Sequence, residues 1–570
     1  MWNKKVCYCV VFFMVMALGL GQSSEDTYES VKPVPGHMEK GFMSIKPIDS
    51  SSYLAFIAAD ELEGRDTATR GLTIARKYIQ SLYETWGVEP AGEWSGEGEK
   101  KKRSFEQKMD MVEVKFGDKT NLKIKSGPRQ ASFEWGKDFS GGEGASIPGA
   151  IEAPAVFAGY GISAPDLDYD DFEGIDVRNK IVITSVGKPG GDRQDSPFNQ
   201  PENRARFAGR YTPAEKCARL LARKGALALL IIDEDVGQVD NAGGYIQGAR
   251  IRSARRPIVA PALSARDPMV PFFWASPAIA EVLFAGKGGG FSAVKKQIDA
   301  ALKPRSMTFP ESIVSIHLDL ERKMTVSANL LGMIQGSDPD LKKEYVIIGA
   351  HLDHVGMNDQ GYVFNGADDN GSGSVGVLQA AKAFILNQGR PKRSILFAHW
   401  TGEEKGLLGS RHFIAFPPVP LSDIVACINL DMICRDTSLS SILEDVHDLG
   451  FDQEKLSQYP DEPRKLVAAF VSKPSPFVAE ISVRIGKEHC GLVVVPLLSY
   501  PMLGNSDHFP FAQRGLPSVF FNTEGHSDLH QPSDSVEKIN AEKMSQIVKL
   551  SYLLAFSIAD AQDRPEWNDR

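Results

Sequence analysis

Residues 344–376 read EYVIIGAHLDHVGMNDQGYVFNGADDNGSGSVG, and this stretch decides the fold class. Its apolar run from Val346 to Ile348 is unbroken, which is typical of a strand that is buried on both faces. The run leads to His351 and Asp353, so these side chains stand where the strand ends. Open α/β sheets carry their functional sites at the carboxyl ends of their strands. We therefore expect an α/β fold with a site that begins at His351.

From about Ser327 to the end of the chain, strand patterns alternate with helical patterns. This alternation is typical of a mostly parallel sheet with helices on both faces. The predicted strands are Tyr345–Ala350, Ser394–Trp400, Ile424–Leu430 and Ser518–Asn522, and the predicted helices are Gly373–Leu386 and Ala541–Ile558.

Each predicted strand is followed by side chains that can bind a metal ion. In chain order these are His351 and Asp353, Asp368 and Asp369, Glu403 and Glu404, Asp431, and finally His526, Asp528, His530 and Asp534. One catalytic zinc ion needs three protein ligands, and this group supplies at least five. Two ions that share a bridging carboxylate would account for all of these side chains. One of the adjacent glutamates, Glu403 or Glu404, could then serve as a proton acceptor.

Taken singly, these features have ordinary structural explanations. Asp368 and Asp369 could cap a helix, and Glu403 with Glu404 could be a solvated pair. The spaced glycines of residues 371–376 follow a polar loop and not a strand, which argues against a dinucleotide site. The metal centre is favoured because several such features fall at successive strand ends.

Length and charge set broad limits. A chain of 570 residues is long enough for two to four domains, and its net charge of −9 without a basic block argues against nucleic acid as a partner.

Residues 1–21 combine two lysines, an apolar run and small residues, which is typical of a secretory signal peptide. An uncleaved anchor is the alternative, but the run is shorter than the about 20 residues of a membrane span. We expect an exported, periplasmic or extracellular protein without stable membrane insertion after cleavage.

Two further regions are predicted from composition. Residues 23–48 are polar and contain prolines, so they are expected to form a loose lead-in. The cysteines outside the signal segment are too sparse for a disulfide scaffold and are expected to be buried free thiols: Cys217, Cys427, Cys434 and Cys490.

Several motifs together resemble one enzyme family. They are GAHLDHVG, NGADDNGSG, TGEEKGLLGS, NLDM, NSDHFPF and LHQPSD. In this combination they resemble the co-catalytic zinc metallopeptidases of bacterial leucyl aminopeptidase, aminopeptidase Y and glutamate carboxypeptidase type. The resemblance covers Ser327 to the C-terminus, and the segment Asp60–Arg65 is similar to the N-terminal segment of the family. It implies a phosphorylase/hydrolase-like fold, in which helices flank a mostly parallel mixed sheet.

The middle block resembles a β-rich protease-associated (PA) domain inserted into the peptidase domain. Its motifs are FAGYGI, YDDFEGIDVRNKIVI and KGALALLII. The expected domains are therefore a signal peptide at 1–21, the N-terminal part of the peptidase domain at 22–147, the PA domain at 148–310 and the catalytic domain at 311–570.

The resemblance also implies roles for single residues. Two zinc ions would share Asp368 as bridging carboxylate, with His351 and Asp431 completing one site and Glu404 and His530 the other. Glu403 would be the general base, and the Asp353 carboxylate would orient His351. His526 is a rival to His530, but the sequence HQPSD favours His530. Substrate-binding residues and the oligomeric state stay open.

The implied function is hydrolysis of peptide substrates by a zinc-dependent exopeptidase, with an aminopeptidase favoured over a carboxypeptidase of glutamate carboxypeptidase type. Proteins of two more classes share this fold. A glutaminyl cyclase would use one zinc ion, and a catalytically inactive receptor-like homologue would be expected to lack at least one ligand.

Overall fold

The computed structural model describes residues 32–566, with gaps at 97–100, 142–148, 201–202, 204–206, 208–210, 237–257, 267, 359, 447–450, 473, 500–505 and 524. The predicted signal peptide therefore lies outside the described residues. Among the described helices, we find none with both the length and the apolar character of a membrane span.

The larger sheet has ten strands. At its centre, four neighbouring strands run parallel, and antiparallel strands extend it on both sides. The order across the sheet is Ile258–Val259, Glu106–Phe116, Leu320–Ile334, Ser394–Trp400, Tyr345–His351, Ile424–Leu430, Ser518–Asn522, Leu466–Ser472 and Val493–Ser499, and Glu89–Pro90 pairs with Leu320–Ile334. The predicted α/β class and the four predicted strands are confirmed.

Alternate residues of the central strands face two different cores, which explains their unbroken apolar sequences. Ile395 and Phe397 pack into the core on one face, whereas Leu396 and Ala398 pack into the core on the other. The helices of this part of the chain are Gly36–Ser44, Pro47–Ile57, Arg70–Trp86, Gly373–Leu386, Leu408–Ala415, Leu439–Asp445, Gln453–Leu456, Pro476–Ile485, Phe509–Ala512 and Ala541–Asp560.

The predicted loose lead-in contains a helix, Gly36–Ser44, so this prediction is wrong for its second half. Met38 and Phe42 are buried in the core beside the helices Gly373–Leu386 and Ala541–Asp560. They stand four residues apart and therefore lie on one helix face. This helical spacing is short, and the prolines around it favour a loop, so the sequence does not predict the helix.

The middle of the chain forms a second sheet of eight strands with its own cores. The order is Arg129–Glu134, Asn121–Ser126, Met307–Leu318, Gly149–Phe157, Ile181–Ser185, Ala228–Ile232, Phe272–Ala275 and Phe139–Gly141. The helices in this region are Tyr211–Lys224, Pro261–Arg266, Pro277–Phe284 and Phe291–Ala301.

The second sheet extends from Asn121 to Leu318, beyond the predicted limits of 148 and 310. The short alternating strands before residue 142 carry no sequence signal for the sheet that they join, and the predicted domain bounds stay a prediction. The identity of this unit as a PA domain stays a prediction.

The buried side chain of Arg65 helps to fix the N-terminal segment to the larger sheet. Its guanidinium donates hydrogen bonds to the carbonyl oxygens of Ile57 at 2.6 Å, Leu352 at 2.9 Å, Asn365 at 2.7 Å and Gly366 at 3.0 Å. Burial lowers the Arg65 pKa to about 10, so the group stays charged at neutral pH. Arg65 thus ties the segment Asp60–Arg65 to both ends of the loop that follows the strand Tyr345–His351.

We predict that Arg65→Met destabilises the protein by at least about 3 kcal/mol, because several buried carbonyl groups lose their donors and each unsatisfied group costs about 1–3 kcal/mol. Denaturant unfolding measures the change. The exposed Arg70 supplies the control, since Arg70→Met should stay within about 0.5 kcal/mol of the unchanged protein. Equal stability of the two variants would contradict the role of Arg65.

Candidate metal centre

Two sets of metal-binding side chains lie at the carboxyl ends of the central strands. The first, the His351 set, consists of His351, Glu403 and Asp431. The second, the His530 set, consists of His354, Asp369, Glu404 and His530. Within each set the donor atoms lie within 4.8 Å of one another, so each set can surround a single ion.

In the His351 set, the imidazole of His351 points one nitrogen at the carboxylates. Nε2 lies 3.3 Å from Asp431 Oδ1 and 4.0 Å from Glu403 Oε2. Nδ1 lies 3.0 Å from the carbonyl oxygen of Asp353, to which it can only donate. This hydrogen bond fixes the tautomer that leaves Nε2 free to bind a metal ion.

The Asp353 carboxylate has a different role from the one predicted. It accepts hydrogen bonds from Thr67 Oγ1 at 2.8 Å and from the backbone N–H of Glu403 at 3.2 Å. Asp353 therefore orients His351 through its backbone carbonyl, while its side chain positions the loop that carries Glu403. The sequence spacing could not separate these two contacts, because both atoms belong to the same residue.

In the His530 set, Nε2 of His530 lies 2.9 Å from Glu404 Oε1 and 2.7 Å from Asp369 Oδ2. The other oxygen of Asp369, Oδ1, lies 3.3 Å from Nε2 of His351. Asp369 thus presents one oxygen to each set, which is the arrangement that a bridging carboxylate requires. The peptide bond between Asp369 and Asn370 is cis.

Asp368, which is predicted to be the bridging carboxylate, belongs to neither donor set. Its Oδ1 accepts hydrogen bonds from the backbone N–H of Cys434 at 2.9 Å and from Ser372 Oγ at 3.3 Å, and its Oδ2 lies 3.1 Å from Nε2 of His526. Adjacent side chains on an irregular segment point in different directions, and the sequence does not say which one faces the site. His526 consequently lies outside both sets, whereas His530 lies inside one.

The last predicted ligand candidates, Asp528 and Asp534, support the centre from outside. Both oxygens of Asp534 accept from the backbone N–H of Asp368, and one also accepts from that of Asp369, at 3.0–3.1 Å. Asp528 pairs with Arg435 at 2.6 Å, and Arg435 also faces Asp534 at 3.6 Å. The motif HQPSD therefore supplies a donor, His530, and the anchor of the loop that carries Asp369.

Asp431 is held by a hydrogen-bond chain that sequence reasoning did not identify. Ser506 Oγ donates to Asp431 Oδ2 at 2.6 Å and accepts from the Asn429 side-chain amide at 2.8 Å. The motif NSDHFPF contains Ser506, but nothing in the sequence indicates that Ser506 contacts Asp431. The four cysteines, Cys217, Cys427, Cys434 and Cys490, are buried and free, as predicted.

Burial and like charges raise the pKa values of several carboxyl groups in the centre. Burial and the neighbouring carboxylate of Glu404 raise the pKa of Asp369 to about 6. Burial also raises the pKa of Glu403 well above its ordinary value, against the effect of His351. Burial lowers the pKa of His354 to about 4, so its imidazole is neutral at neutral pH.

The chemistry of the donors fits two zinc ions. The centre brings together four carboxylates and three imidazoles: Asp369, Asp431, His351 and His354 are buried, and Glu403, Glu404 and His530 are half-buried. Buried charges need a counter-charge or a metal ion, and zinc takes both imidazole nitrogen and carboxylate oxygen. Divalent cations would therefore compensate the charges of these residues better than additional hydrogen bonds would.

Residues 329–555 match the sequence profile of Peptidase family M28. This part of the chain is therefore similar to the peptidases of that family. A probable leucine aminopeptidase of Trichophyton verrucosum is 29% identical over 234 residues, which cover 39% of this chain and 56% of the relative. A probable glutamate carboxypeptidase of Arabidopsis thaliana is 26% identical over 340 residues, covering 55% of this chain and 43% of the relative. The chain thus spans about half the length of the curated relatives it matches.

Among solved structures, an aminopeptidase from Aneurinibacillus sp. strain AM-1 has a similar fold. The TM-score is 0.52 at 15% sequence identity, and the match covers 93% of this chain and 99% of that protein. The similarity agrees with the mixed α/β architecture and extends through both sheets.

We predict that Asp369→Asn lowers the amount of zinc bound per chain, because both sets lose a carboxylate oxygen. Metal content after dialysis against zinc and a weak chelator measures this effect. The adjacent residue is the matched control: Asp368→Asn should keep its zinc and lose about 1–2 kcal/mol of stability with its hydrogen bonds. Loss of zinc from the Asp368 variant but not from the Asp369 variant would instead support Asp368 as the bridging carboxylate.

Proposed function

We propose that this chain is an exported, two-zinc exopeptidase that removes residues from the amino terminus of peptides. The observation that carries the proposal is the pair of donor sets that share Asp369, with Glu403 beside them. The match to Peptidase family M28 and the leucine aminopeptidase named among its relatives support a peptidase. The predicted signal peptide supports export.

Zinc ions held by the two sets would polarise the scissile carbonyl and make a water molecule easier to deprotonate. The side chain of Glu403 is 13% exposed, so it can reach a substrate at the edge of the sheet. Its raised pKa makes it a stronger proton acceptor than an ordinary glutamate. Glu403 takes the proton from the attacking water and passes it to the leaving amine, which restores the carboxylate.

The charges around the centre favour an aminopeptidase over a carboxypeptidase. A carboxypeptidase needs a cation for the carboxylate of the substrate. Three cations beside the centre are already engaged: Arg65 with backbone carbonyls, Lys405 with Asp66 at 3.1 Å, and Arg435 with Asp528 at 2.6 Å. Among the described residues beside the centre, these three cations are therefore not available to a substrate carboxylate, which favours recognition of a free amino terminus.

We predict that Glu403→Gln lowers kcat/KM for peptides by about 10²-fold or more, because the amide cannot accept the proton. Zinc content should not change. Glu404→Gln is the comparison variant, and it should lose zinc together with activity. Normal turnover of the Glu403 variant would refute its role as base, and loss of zinc from it would make Glu403 a ligand.

The direction of cleavage is tested with matched peptides that carry either a free or an acetylated amino terminus. We expect release of the first residue from the free peptides only, and complete inhibition by a chelator that zinc reverses. Cleavage confined to the acetylated peptides would contradict the aminopeptidase assignment. Cyclisation of an N-terminal glutamine without hydrolysis would instead support an acyltransferase.

A further inference from the structure

His354 is a buried imidazole of the His530 set with no role in the reaction described above. Its side chain is fully buried, and Nδ1 lies 3.0 Å from Glu404 Oε1 and 3.6 Å from Asp369 Oδ2. The ring centroid lies 5.4 Å from that of His530. The two imidazoles therefore face the same pair of carboxylate oxygens.

Neither ring nitrogen of His354 has a hydrogen-bond partner among the residues that the structure describes. The short approach of Nδ1 to Glu404 is not aligned for a hydrogen bond. Buried polar side-chain atoms are normally satisfied, so an unsatisfied imidazole among metal-binding groups indicates a ligand. The other fully buried histidine of the centre, His351, uses Nδ1 for a hydrogen bond and keeps Nε2 for the metal-binding set.

The backbone holds the His354 ring firmly in this position. The His354 N–H donates to the carbonyl oxygen of Arg65 at 3.2 Å, which ties the residue to the N-terminal segment. Gly366 packs against the ring, and a Cβ atom there would lie 2.5 Å from a ring carbon. Gly366 also has a φ of 56°, so both space and backbone conformation favour glycine beside His354.

We infer that His354 is a fourth protein ligand of the metal ion held by Asp369, Glu404 and His530. This inference rests on the two-zinc centre of the proposed function. Four protein ligands complete a tetrahedral zinc site, as in structural sites, whereas three leave a position open for water or substrate. The His351 set, which has Asp431 and the shared Asp369 beside the base Glu403, keeps the open position.

The two metal sites are consequently unequal. With four protein residues, the His530 set would hold its ion more tightly, and that ion would act on the reaction mainly through its charge. The His351 set would hold its ion with fewer protein residues, so this ion would exchange more easily. This division also explains why the base Glu403 stands in the His351 set and not in the other.

Zinc titration of the metal-free protein tests the inference. The unchanged protein should show two binding steps of different affinity, and His354→Ala should weaken the tighter step by more than the 10–100-fold that is typical of losing an outer hydrogen-bond partner. His354→Asn separates metal binding from hydrogen bonding, because an amide N–H can donate to Glu404 although the group is a poor zinc ligand. A normal tight step in the Asn variant would overturn the inference, since His354 would then act as a positioning residue.

His412→Asn is the control, because His412 lies in the same domain but in neither donor set. Its two binding steps should equal those of the unchanged protein. The zinc-induced rise in the unfolding midpoint provides a second readout for each variant, and metal-free midpoints show whether the fold is retained.

X-ray absorption at the zinc edge tests the inference without any variant. Unchanged protein loaded with one equivalent of zinc should show two imidazole ligands, from His354 and His530. One imidazole would refute the inference even if the variants fail to fold. These readouts measure zinc binding and not peptide cleavage. A lack of aminopeptidase activity would therefore refute the proposed function, whereas the role of His354 would still be tested by zinc affinity and by the number of imidazole ligands.

Discussion

Four carboxylates that converge at one edge of a sheet are the constraint on which the rest of this structure depends. Asp369 and Asp431 are buried where the parallel strands end, Glu403 and Glu404 beside them are half-buried, and the four groups repel one another. Burial of a charge is unfavourable unless an opposite charge or a metal ion compensates for it. Burial, together with the repulsion from Glu404, raises the pKa values of both Asp369 and Glu403.

Segments from distant parts of the chain hold these carboxylates together. Arg65 and Thr67 come from the N-terminal segment and fix the loop after the strand Tyr345–His351 and the side chain of Asp353. Asp534 comes from near the C-terminus and holds the backbone of Asp368 and Asp369. A site with such anchors forms only once the sheet and both ends of the domain are in place.

The unit that carries the second sheet also contacts the larger sheet. Its segment Ile258–Val259 pairs with the strand Glu106–Phe116, and Ile258 packs with Met109 and Leu408. Glu215 of the same unit lies 3.4 Å from Arg411. Both Leu408 and Arg411 belong to the helix that follows the loop of Glu403 and Glu404, so this unit packs against an element that adjoins the centre.

The sequence by itself determined the central strands, the helix Gly373–Leu386 and most of the donor residues. It could do so because doubly buried strands need continuous apolar runs, and because metal-binding side chains follow those runs directly. Only the tertiary structure decided which of Asp368 and Asp369 faces both donor sets, that His354 joins one of them, and that Asp353 uses its carbonyl for His351. These choices depend on the direction of single side chains on irregular loops, which contacts with Arg65, Asp534 and Cys434 fix across the fold. Sequence spacing carries no information about such contacts.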